Sequence, residues 1–181
     1  VLETYGSSSE CKHTFDQIGC VEFPFTEIGK VDSTGMFGLD EIAVFSYYIK
    51  NRLRYKRVLD IGANLGIHSI ILGKLGCSVT AFEPDPDTAK ILKRNLALNN
   101  INNVSIKEAA ISDICGEASF CRVIDNKAGS HIAGMKADPY GPLDYFNVPV
   151  EAIGEYFDSA DYIKIDAEGS EAKIITAIEP E

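Results

Sequence analysis

Between residues 57 and 107 the sequence alternates between short apolar runs and longer amphipathic ones, and that alternation admits few folds. "RVLDIG" (57–62) predicts a strand, and "LGIHSIILGKLG" (65–76) a helix ended by Gly76. "SVTAFEP" (78–84) predicts a strand, "DPDTAKILKRNLALNN" (85–100) a helix and "NVSIKEA" (103–109) a further strand. Asp85-Pro86 suits a helix start, a capping carboxylate followed by a proline in the first turn. Strands alternating with helices build a mostly parallel, doubly wound α/β sheet covered on both faces. Its crossovers are right-handed, so a ligand crevice lies at the carboxyl ends of the strands.

The flanks extend this pattern. In "GLDEIAVFSYYIKNRL" (38–53), Ile42, Phe45, Ile49 and Leu53 fall at helical spacing. Residues 1–35 are read as an irregular N-terminal segment with one strand near "CVEFPF" (20–25), and 36–181 as the ligand-binding domain. The alternation breaks at 110–149, where "GEASFCRVI" suggests part of a strand pair and 126–142 a long loop. It resumes with a short helix at 151–157, the strand "YIKID" (162–166) and the helix "SEAKIITAI" (170–178).

The 181 residues, 45% of them hydrophobic, suffice for one domain with a real core. A net charge of −10 opposes contact with phosphate backbones, so nucleic acid is read as an unlikely partner. No apolar run approaches the ~20 residues of a membrane helix. Five cysteines without a CxxC pair argue against a zinc site and for reduced thiols in the cytoplasm.

The chemistry concentrates at the strand ends, where Asp60, Glu83, Glu108 and Asp166 all fall on one edge of the predicted sheet. Gly62, Ala63, Asn64 and Gly66 form a G-x-N-x-G turn that departs from the dinucleotide fingerprint G-x-G-x-x-G. Asn64 tolerates a left-handed backbone, but its side chain occupies space a pyrophosphate would need. Asp60 places a negative charge beside the turn, favouring a cationic, phosphate-free nucleoside such as S-adenosylmethionine. Glu83, 21 residues beyond Gly62, is positioned to accept both ribose hydroxyls, and Pro84 holds it extended. His68, in the first turn of the following helix, either lines the cleft or is an ordinary helix residue.

"VLDIGANLGIHS", "AFEPDP", "AAISD" and "YIKIDAEGSE" together resemble the FkbM family of S-adenosylmethionine-dependent methyltransferases over roughly residues 35 to 178. The resemblance implies a class I methyltransferase fold and methyl transfer to a hydroxyl of a small molecule or carbohydrate. It implies that Asp60, Gly62, Asn64 and Gly66 surround the methionine part, Glu83 the ribose, and Ala109 and Ala110 the adenine. Full-length relatives carry further strands beyond "TAIEPE"; without them "YIKID" is an uncovered edge that a second copy could cover.

"KIDAEGSE" offers Asp166 and Glu168 as catalytic or substrate-binding carboxylates. Glu171 suits the helix N-terminus, and Ser170 suits its cap. The same acids could hold Mg²⁺, but no metal is assigned. His131, in the long loop, is either a base or a surface residue, and Lys164 either pairs with a strand-end carboxylate or faces polar space. Two other readings stand beside the methyltransferase: a non-catalytic binding domain of the same fold, and a nicotinamide-dependent oxidoreductase.

Overall fold

The computed structural model describes residues 12–30, 32–137 and 139–178. Cys11, the "SSS" run at 7–9 and Asp138 of "ADPYGP" lie outside the described residues. Where the sequence predicts one N-terminal strand there are two, β1 (Lys12–Phe15) and β2 (Gly19–Glu22), paired antiparallel. Val21 and Phe23 of this segment are completely buried in the same core as Phe45 and Val58.

Helix α1 (Leu39–Asn51) turns Phe45 and Tyr48 inward, each burial worth about 1.5–3 kcal/mol. Leu53, expected on that face, is 80% exposed because the helix ends two residues before it. The predicted alternation then follows: β3 (Arg57–Ile61), α2 (Ile67–Lys74), β4 (Ser78–Phe82), α3 (Pro86–Leu98) and β5 (Val104–Lys107). Asp85 caps α3 as expected, its carboxylate accepting the Asp87 N–H at 2.9 Å with Pro86 in the first turn.

The expected strand pair and long loop are both present, residues 116–123 and 143–152 pairing antiparallel across the loop, but two further short strands make residues 110–152 a second sheet. Its strands are β6 (Ala110–Ser112), β7 (Gly116–Val123), β8 (His131–Ile132) and β9 (Leu143–Ala152), in the order β6-β9-β7-β8. The helix expected at 151–157 is instead the end of β9 followed by single 3₁₀ turns at Ile153–Glu155 and Phe157–Ser159. Last come β10 (Tyr162–Ile165) and α4 (Glu171–Thr176).

Strands β3, β4, β5 and β10 form a wholly parallel sheet in the order β10-β3-β4-β5. Side chains alternate across it. Val58 enters the core beneath α1 and α2, while Leu59 and Ile61 enter the opposite one with Phe82, Ile111 and Ile174. Both faces are therefore covered, as the unbroken burial of Val58–Ile61 requires. From β3 the chain steps outward to β4 and β5, then returns to β10 on the other side of β3. That reversal opens a crevice at the carboxyl ends of β3 and β10. Among the described residues no helix is long and apolar enough to cross a membrane, and Cys20, Cys77, Cys115 and Cys121 are free thiols.

Candidate active site

The turn after β3 is held from three sides. Its backbone is left-handed at Gly62 (φ +74°), Asn64 (+51°) and Gly66 (+92°). The N–H groups of Gly62 and Ala63 both donate to the Phe82 carbonyl, at 3.1 and 2.9 Å, tying the turn to the end of β4. A Cβ on Gly62 would lie 1.9 Å from the Asp166 carbonyl oxygen, so only glycine lets the end of β10 come this close. A Cβ on Gly66 would strike Leu92 of α3 at 2.2 Å. Ala63 is buried inside the turn and, like Gly66, shapes the crevice without lining it.

Asp60 does not face the crevice. It is fully buried in β3, beside its register partner Lys164 on β10. The Lys164 ammonium lies 3.2 Å from one carboxylate oxygen, and the Ser69 hydroxyl donates to the other at 2.7 Å. Burial pushes the Asp60 carboxyl up, but Lys164, His68 and Ser69 together outweigh it and hold the group below its ordinary range. Lys164 also donates to the Gly62 carbonyl at 2.8 Å, so the pair braces the turn from beneath. The expectation that Asp60 draws a cationic ligand by its own charge is corrected: that charge is already neutralised in the core.

His68 is corrected too. It points away from the crevice toward α1, its Nε2 3.0 Å from Glu41 and its Nδ1 3.1 Å from the Tyr48 hydroxyl. The ring fills a buried slot against Phe45 and is an ordinary packed helix residue.

Glu83 and Pro84 occupy their expected places. Glu83 is only 6% exposed and accepts the N–H groups of Asn64 and Asp85, both at 2.9 Å, one on each oxygen. Burial raises its pKa to about 7, the two N–H bonds opposing. Each oxygen keeps a lone pair for a hydroxyl donor.

The crevice is lined by Gly62, Asn64, Glu83, Pro84, Ala109 and Ala110, and by Asp166 and Glu168. Its far wall is Phe120, Lys127, Ala128, Ser130 and Ile132, supplied by the second sheet and the loop before β8; the sequence points to 110–149 as the source of lining residues but singles out none of these. No local pattern marks these residues, because a sheet packed against the crevice had to be known first. Thr88 was findable, lying one turn into α3 beyond the cap.

The acids at the end of β10 separate into different roles. Asp166 lines the crevice with its side chain 64% exposed, the Lys164 ammonium 3.9 Å away. Glu168 sits in a left-handed backbone (φ +50°) and is ion-paired with Lys136. Glu171 accepts the Ala167 and Gly169 N–H groups, both at 2.8 Å. Burial opposes its ionisation, but those backbone bonds prevail and its pKa is lowered. Glu171 thus ties down the turn before the helix, while Ser170, expected to cap it, makes no side-chain cap bond and, among the described residues, has its hydroxyl buried without a partner at the crevice wall. Glu108 is drawn off to Lys93 at 2.5 Å. His131 is buried rather than a surface residue, its Nδ1 3.0 Å from the Gly129 carbonyl. Among the described residues no group of three or more His, Cys, Asp or Glu side chains could hold a metal ion.

The family model of the methyltransferase FkbM domain matches residues 60–180. The ribosomal protein L11 methyltransferase of Acetivibrio thermocellus is 44% identical over 59 residues, 32% of this chain and 19% of that protein. The enzyme of the same name from Ruminiclostridium cellulolyticum is 44% identical over 91 residues, 49% of this chain and 28% of that one. The chain thus spans less than a third of the length of these curated relatives. The ribosomal protein L11 methylase structure from Lactobacillus delbrueckii subsp. bulgaricus aligns with TM-score 0.36 and 24% identity, over 40% of this chain and 38% of that one. The curated relatives overturn the expected partners, a small molecule or carbohydrate with nucleic acid set aside, because their named acceptor is a component of the ribosome. Net charge summed over a whole chain does not report what a single crevice accepts.

Proposed function

The chain belongs to the FkbM methyltransferase family, and from that premise we propose that it transfers the methyl group of S-adenosylmethionine to a ribosomal protein. The observation carrying the cofactor half is the buried Glu83 carboxylate, fastened to the Gly62–Gly66 turn through the Asn64 N–H with both oxygens able to accept a hydroxyl. The apolar wall of Ala110, Ile111, Phe120 and Ile132 suits a purine, and the buried Ser170 hydroxyl has a donor and lone pairs to offer. These residues fit an adenosine without phosphate. The cofactor, when bound, supplies an electrophilic methyl on a sulfonium.

The protein's part in the chemistry is alignment and proton removal. Glu83 and the Gly62–Gly66 turn would hold the cofactor, which would give up its methyl group to the acceptor atom and keep the bonding electron pair as a neutral thioether. The acceptor's proton passes to a base. Asp166 takes that role, since Glu168 is held by Lys136 and Glu171 by backbone N–H groups. The acceptor reading comes from the names of the curated relatives.

Calorimetry with S-adenosylhomocysteine and NAD, followed by labelled-methyl transfer to separated ribosomal proteins and ribosomal RNA, tests both halves. Binding of the first ligand alone and label in protein are expected. NAD binding would end the cofactor reading, and label confined to RNA would end the acceptor reading. Asp166→Asn is expected to lower turnover about a hundredfold, within the range for a lost general base, with cofactor affinity changed less than threefold. Equal losses in both would make Asp166 structural.

A further inference from the structure

Arg122 lies outside the crevice, yet it is ion-paired with three carboxylates. It stands on β7, two residues from Phe120, so the two side chains share one face of the strand. Its Nε and one terminal nitrogen meet the two Asp85 carboxylate oxygens at 2.7 and 2.6 Å, a bidentate fork. The same guanidinium reaches Asp87 at 3.3 Å and Asp144 at 3.2 Å and lies over the Phe146 ring at 4.7 Å. Asp85 is 2% exposed, and its own N–H donates to Glu83. Glu83 in turn accepts from Asn64. A continuous set of short contacts therefore runs from the second sheet to the turn after β3.

Resting on the cofactor reading above, we propose that Arg122 is a positioning residue for the nucleoside. It fixes the Glu83–Asp85 segment against the second sheet, so that the Glu83 oxygens meet the ribose hydroxyls without rearrangement. Lysine cannot replace it, because a single ammonium cannot span both Asp85 oxygens in plane. A fork of this kind adds directional restraint that an isolated charge lacks. The acid it grips is the one whose N–H orients Glu83, so slack there reaches Glu83 through that hydrogen bond.

The test is calorimetric titration of wild type and Arg122→Lys with S-adenosylhomocysteine, reading dissociation constant and stoichiometry separately. A positioning role raises the dissociation constant about tenfold, on the scale of one lost charge-assisted hydrogen bond, with one site per chain retained. A merely structural role lowers the number of competent sites or the melting temperature and leaves the dissociation constant of the folded fraction alone; that result overturns the proposal. Should Arg122→Lys not fold, the double variant Arg122→Gln with Asp85→Asn removes the fork and its buried charges together while Asn keeps the helix cap. Weakened binding in the double variant supports the proposal, and wild-type affinity overturns it. If wild type itself fails to bind, the cofactor reading falls and takes this inference with it; equal binding by wild type and variants sinks the inference alone.

Discussion

Glu83 shows how one residue ties stability to ligand recognition. Its carboxyl titrates ordinarily at 4.5 and is raised to about 7 in the folded chain by burial, against two backbone N–H bonds. The folded protein therefore holds a proton that the unfolded chain has released over this interval. The stability this contributes is complete below about 4.5 and is lost as pH rises through about 7. Urea unfolding of wild type and Glu83→Gln from pH 4.5 to 8 should show wild type losing stability relative to the variant across that window. A pH-independent difference would mean that burial does not govern the group. The position of Glu83 at a strand end, followed by Pro84, was legible in the sequence because it depends on spacing along one strand and turn. The burial of Asp60 was not, because it depends on Lys164 in a strand more than a hundred residues later that registers beside it. Lys164 had been read as pairing with a strand-end carboxylate or facing polar space, and it is the first of these.

Among the elements, the turn of residues 62–66 carries the strictest backbone demand. Asn64 at φ +51° lies in a region that asparagine and glycine enter readily and alanine does not. Asn64→Ala should cost about 1–2 kcal/mol of unfolding free energy, whereas Asn64→Gly should stay within about half of that, since glycine meets no steric penalty there. Urea midpoints of the two variants decide it; equal losses would assign the cost to the Asn64 side chain instead. Turn and flanking elements were readable because glycine spacing and apolar periodicity are local. Strand β9 was not. Its 10 residues contain Pro149, which weakens a strand reading, and their pairing partner is the distant β7. Proline is tolerated there because β6 pairs only with residues 150–152, so at Pro149 the strand has β7 on one side alone.

At the scale of the whole molecule, the crevice is closed by a segment that sequence reading treated as irregular. Residues 28–30 run beside the loop that forms the far wall. The Lys127 N–H donates to the Ile28 carbonyl at 3.0 Å and the Lys30 N–H to the Asp125 carbonyl at 2.6 Å. The Lys30 ammonium meets the Asp125 carboxylate at 2.7 Å. Gly29 has φ +101°, and a Cβ there would lie 2.3 Å from the Asp125 carbonyl carbon, so the two backbones touch only because the residue is glycine. Ile28 is buried in the core shared with α1 and α2, which anchors this contact to the parallel sheet. The wall holding Lys127, Ala128 and Ser130 is thus set by the N-terminal segment as much as by the second sheet. Gly29→Val should push the 125–130 loop outward. Amide exchange at Lys127 and Ser130 should quicken, and affinity for S-adenosylhomocysteine should fall several-fold. Exchange within α1 should stay as it was. Fast exchange throughout would indicate general unfolding, while unchanged exchange at Lys127 would show that the second sheet holds the wall unaided.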